Sequence, residues 1–191
     1  VFSSKKNWCA ENSLRYIRDF VAKHKNINFD PVSHSYSWDI QHIHFVQLHN
    51  YPYHTEKVLN IGSSIKWLKN DLEKAKQKNS ITILNFHIPL AEEDYLKFQE
   101  SILNKFKIAG VFVGHYHSAF AEDLAYKKLA QGRAQKIAYY HSSSPGYNRI
   151  LVARFTRTMM VVMGVSTLCS PVFQFAAASW RMADALVDQP F

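Results

Sequence analysis

The sequence predicts an α/β fold, and three observations carry the prediction. Residues 81–86 (ITILNF) and 111–113 (VFV) are short apolar runs that read as buried strands. Between them, residues 91–106 repeat Tyr95, Phe98, Ile102 and Phe106 at helical spacing, which makes an amphipathic helix. A strand, a helix and a strand in that order form a right-handed crossover that leaves the two strands as parallel neighbours. Each strand also ends in histidine: His87 after the first, and His115 and His117 after the second. Loops at the carboxyl ends of parallel strands are where open α/β sheets bind ligands.

The bulk composition agrees with a folded α/β chain. At 191 residues, 47% apolar and 14% aromatic, the chain is a single globular domain by length and is long enough to bury a substantial core. A formal charge of +8 favours anionic partners in general. The lysines at 5–6 and 74–78 form no run of five or more basic residues, so they read as solvated faces and nucleic acid is not favoured. Cys9 and Cys169 read as two free thiols. No charged-then-apolar leader is read at the start, and localisation is left open.

In chain order, residues 1–7 are polar and read as an irregular lead-in. Asn12 or Ser13 then caps a helix with Leu14, Ile17, Phe20 and Val21 on its apolar face. Residues 26–35 are dense in Asn, Asp, Pro and Ser and read as a loop. Residues 36–48 read as one largely buried strand flanked by His42, His44 and His49, expected to be satisfied or exposed imidazoles and not metal ligands. Residues 49–54 leave at the edge where the later motifs emerge, so Asn50 and Tyr51 are candidate substrate contacts.

Residues 62–78 form an amphipathic helix through Ile65, Leu68, Leu72 and Ala75. Glu92, Glu93 and Asp94 sit where carboxylates favour a helix N-terminus, so they read as a helix start and not as catalytic acids. Residues 119–130 read as a short helix. Residues 136–140 and 150–155 read as strands, the second joined to residues 159–165 by a hairpin. The polar turn at 141–146 makes Ser144 a candidate phosphate contact, equally readable as a Ser-rich turn.

Residues 159–180 carry no charge over a membrane-spanning length. Pro171 and the polar residues argue instead for a strand followed by a short helix, so membrane insertion is not expected. This gives a domain over residues 1–167 and a tail over 168–191 with a short helix.

The motif at 110–117, GVFVGHYH, presents His115 and His117 from one loop, with Tyr116 either facing a cleft or packing. Together with NFH at 85–87, it resembles the last two metal-binding motifs of the calcineurin-like metallophosphoesterase superfamily. The likeness spans residues 8–167, including YSWDIQHIHFVQLHNYP at 36–52 and IAYYHSSSPGYNRILVARF at 137–155. It implies a four-layer α/β/β/α sandwich with mixed sheets. It also implies two divalent ions (Mn, Fe, Zn or Ni), with His87 and His115 on one and His117 on the other, and hydrolysis of a phosphate-ester substrate.

The family's earlier motifs, which supply a bridging carboxylate, an asparagine ligand and the acid for the leaving group, have no counterpart here. No catalytic residue is therefore assigned, and the resemblance points to a missing N-terminal half or a second chain as the source of those groups. Two other readings stand beside it: a non-catalytic module of the same fold, and a basic domain that binds anions or nucleic acid.

Overall fold

The computed structural model describes residues 2–117, 121–122, 137–142, 149–156, 159–166 and 175–181. Helix α1 (Phe2–Lys23) precedes three strands, β1 (Asn28–Phe29), β2 (Tyr36–Ile40) and β3 (Ile43–Gln47). Helix α2 (Ile65–Gln77), strand β4 (Ile81–Phe86) and helix α3 (Glu92–Phe98) follow, α3 continuing as a π-turn over Gln99–Leu103. The remaining strands are β5 (Ile108–Val113), β6 (Ala121–Glu122), β7 (Ala138–His141), β8 (Arg149–Phe155), β9 (Met159–Ser166) and β10 (Phe175–Arg181).

The protein is therefore mixed α/β. A seven-stranded mixed sheet has the order β1-β2-β3-β4-β5-β7-β6, and a three-stranded antiparallel sheet has the order β10-β9-β8. Strands β3, β4, β5 and β7 run parallel, so the expected crossover between β4 and β5 is present.

Alternation along the central strands sorts their side chains onto two faces. Val46, Leu84, Val111 and Tyr139 turn to one face and meet Leu68 and Leu72 of α2, Tyr95 and Phe98 of α3, and Ile102. Ile43, Ile83 and Tyr140 turn to the other face and meet Met160 and Val162 of β9. Among the described residues this gives three layers: helices, the seven-stranded sheet and the three-stranded sheet.

Four expectations need correction. Helix α1 starts at Phe2, not near Asn12, because its first two turns carry no apolar stripe to reveal it. Within it Leu14 is buried, whereas Phe20 is exposed and rests on the His24 ring at 4.2 Å. The supposed single strand at 36–48 is a hairpin of β2 and β3, pairing Ile40 with Ile43. Its tight turn holds Gln41 at φ 56°, a conformation usually signalled by Gly or Asn, so the residue type concealed it.

The loop at 26–35 contains β1, followed by a turn in which Asp30 accepts bonds from the amides of Val32 and Ser33 and from the Ser33 hydroxyl. In the tail, Phe175–Arg181 is a strand and not part of a helix. The expected helix at 119–130 lies almost wholly outside the described residues, apart from Ala121 and Glu122, which form β6. No helix among the described residues is long and apolar enough to cross a membrane.

Candidate metal centre

The carboxyl ends of the parallel strands are stitched by backbone bonds that fix the loops beyond them. The Leu48 amide donates to the Asn85 carbonyl (2.8 Å), and the amides of His87 and Ile88 donate to the Asn50 carbonyl (3.0 and 2.8 Å). One strand further on, the Gly114 amide donates to the His87 carbonyl (2.9 Å), and the Ser142 amide donates to the Val113 carbonyl (2.9 Å). The Tyr116 amide turns back onto the Gly114 carbonyl (2.8 Å), which reverses the chain just after the strand. His115 takes φ 68° in that reversal.

This geometry brings His87 and His115 together from adjacent strands, with ring centres 5.4 Å apart and planes at 90°. Two imidazoles sharing one ion through bonds of about 2.0–2.1 Å at a tetrahedral angle have ring centres roughly 5 Å apart. The His87 and His115 rings thus lie at a separation at which one ion could join them. His87 and Tyr116 are both exposed, and Tyr116 packs its ring near His115 (5.4 Å) and His141 (5.9 Å).

The His87 pKa is lowered, first because the surrounding wall desolvates its ring and then because His115 and His117 stand near it. The neutral imidazole that results is the form that ligates a metal. Among the described residues, no three His, Cys, Asp or Glu side chains converge into a complete cage. Among the described residues the cluster thus consists of neighbouring imidazoles, and no carboxylate joins His87 and His115 in a group of three.

Gly114 is the position against which the His87 ring rests. A Cβ there would lie 3.0 Å from His87 Nδ1 and 3.5 Å from its Cε1. Replacing it with alanine should push the His87 ring aside while the backbone stays in place. Gly114→Ala is therefore expected to weaken divalent-ion affinity about tenfold or more, measured by calorimetry, with the unfolding midpoint nearly unchanged.

The other candidate contacts fall differently. Asn50 serves this edge through its carbonyl, the anchor for the loop at His87. Tyr51 packs against the helix-side core and stands edge-on to His54 at 5.4 Å, away from the face on which His87 opens. Ser144 lies outside the described residues.

The histidines of the β2–β3 hairpin and its exit are not part of this cluster. His44 is internally satisfied, bonded to Asp39 through Nδ1 (2.6 Å) and to Asp71 through Nε2 (2.9 Å). His49 stacks on His54 at 5.2 Å. His34, His49 and His54 form a second group that no sequence motif announces; they lie in loops that Ser35 ties together through its bond from the His49 amide.

Burial, with His54 and His34 nearby, lowers the His49 pKa to about 4. Its imidazole is neutral in the fold but gains a proton in the unfolded chain below the ordinary histidine value of 6.5. Its contribution to stability is therefore complete above about pH 6.5 and is lost as pH falls towards 4. Allowing for residual solvent around the ring, the loss should be about 2 kcal/mol. Urea titrations at several pH values should show it, and His49→Gln should remove most of this acid sensitivity.

No protein-family model matches the chain, and no curated protein matches it. Fold and site geometry place it in the mixed α/β class with a histidine pair at the carboxyl edge of its parallel strands.

Proposed function

We propose that the chain takes part in metal-dependent hydrolysis of phosphate esters as the histidine-bearing part of a calcineurin-like metallophosphoesterase site. The observation that carries the reading is the pairing of His87 and His115 from adjacent parallel strands, at a spacing that suits one shared ion. His87 and His115 would hold that ion, and His117 would reach a second. Divalent ions in such sites polarise the phosphoryl oxygens and lower the pKa of a bound water. The residues of this chain contribute neutral imidazoles, a glycine that makes room for them and a fixed backbone edge.

The bridging carboxylate and the proton donor would come from polypeptide outside the described elements, either a further part of a longer protein or a second chain. The sheets agree with an added layer. Strand β8 is an edge among the described residues, with Ile150 and Val152 44% and 39% exposed, and Tyr36, Trp38 and Phe45 form an aromatic row on the same side of the large sheet. Unpaired strand edges of this kind invite further pairing. In the proposed assembly that layer completes a four-layer α/β/β/α sandwich.

A second reading, a non-catalytic module holding one ion, is favoured because among the described residues no carboxylate joins His87 and His115 in a group of three. Turnover separates the two. With Mn or Zn added, hydrolysis of bis(p-nitrophenyl) phosphate that disappears in His115→Ala supports the enzyme reading. Ion binding without any hydrolysis, in the longest form of the protein that can be made, supports the module.

A further inference from the structure

A cavity of about 460 Å³ opens between the two sheets and has His87 and Gly114 in its wall. Its size and lining are those of a small-molecule site, since ligand pockets span roughly 300–1,000 Å³ and are mainly apolar with a few placed polar groups. Phe45, Phe112, Leu151, Ala153 and Phe155 line it, and these same five side chains are the ones left partly buried around the inter-sheet core. The two sheets therefore do not close on each other here. They leave aromatic and aliphatic surface facing a cleft.

The cavity is polarised along the strands. On β3 the inward positions run Phe45 then Gln47; from β4 onward they run Ile83, Asn85, then His87; from β5 they run Phe112 then Gly114. Each series starts apolar and ends at the carboxyl edge, where Ser142 also lines the wall. A ligand that fits is apolar along most of its length and polar at one end, with the polar end at His87.

We propose that this cavity holds the single alkyl or acyl chain of an amphiphile whose phosphate lies at His87, so that the ester handled here is that of an apolar alcohol. The placement of the phosphate rests on the reading of the histidine pair given above, whereas the apolar chain site rests on the cavity alone. At about 30 Å³ per non-hydrogen atom, the space takes roughly fifteen such atoms, enough for a chain of medium length and its head.

Calorimetric titration of the full chain with butyl phosphate and decyl phosphate, with and without Mn, tests the proposal. Decyl phosphate should bind at least about a hundredfold more tightly than butyl phosphate, because each added methylene leaves water for an apolar wall. Ala153→Trp, which fills the cavity, should erase that difference. If this variant does not fold, Leu151→Ala, which enlarges the cavity, should shift the preference towards longer chains.

Affinities for the two esters within about threefold of each other would overturn the proposal, as would a chain-length preference unchanged in Ala153→Trp or Leu151→Ala. A chain-length preference with affinities that Mn leaves unchanged supports the cavity while removing the metal reading. Tightening by Mn without any chain-length preference does the reverse.

Discussion

Replacing His44 with alanine is expected to cost about 3–5 kcal/mol of stability, because the substitution breaks a buried charged network by removing its centre. His44 is 5% exposed and bonds both Asp39 and Asp71, and Asp71, 2% exposed, also accepts from Asn28 Nδ2 at 2.7 Å. Lys78 closes the other end on Asp39 at 2.7 Å. Without the imidazole, the Asp71 carboxylate stays buried with one neutral donor.

Burial opposes the charge on His44, but the hydrogen bonds to Asp71 and Asp39 and the charges of both carboxylates outweigh it and raise the pKa. A base with a raised pKa contributes stability that is fully present below its unfolded value of 6.5 and is lost as pH rises through the folded value. The gap between wild type and His44→Ala in urea unfolding should therefore narrow as pH is raised from about 6 to about 9. This trend is opposite in sign to that of His49.

The network joins α2 to the amino-terminal half of β3, whereas His87 follows the carboxyl end of the neighbouring parallel strand. Loss of His44 should thus weaken the fold without changing ion affinity in the fraction that remains folded.

The second large effect is expected at the other end of the sheet. The double substitution His87→Ala, His115→Ala should lower divalent-ion affinity by about a hundredfold or more, since in the proposed site each imidazole would be a ligand and among the described residues no third group converges to replace it. Stability should change little, because both side chains are exposed and neither belongs to the two described core clusters. His115 also leaves a positive-φ backbone position, which histidine adopts more readily than alanine, so a small cost in stability is expected there.

The parallel pair β4–β5 and its histidine ends were legible in the sequence because buried parallel strands are short continuous apolar runs and the helix between them has a clear period. Residues 65–77 were legible for the same reason: Leu68, Leu72 and Ala75 mark one buried stripe. The β2–β3 turn was hidden because Gln41 adopts a positive φ without a glycine to announce it.

The His34, His49 and His54 grouping could not be seen because those residues meet through loop closure at Asp30 and Ser35, which has no periodic signature. Asp71 was concealed as well. On a helix otherwise rich in lysine it reads as a surface acid, yet it faces inward to His44. The inter-sheet cavity depends on how far β8 covers the large sheet, a matter of layer packing that no local pattern records.

The most direct test of the metal centre is to count ions. The chain is loaded with Mn or Zn, freed of excess, and its metal content compared with that of the His87→Ala, His115→Ala variant. About one ion per chain is expected, held between the two imidazoles, and it should be lost in the variant. Equal metal content in both proteins, or none in either at saturating metal, would contradict that assignment.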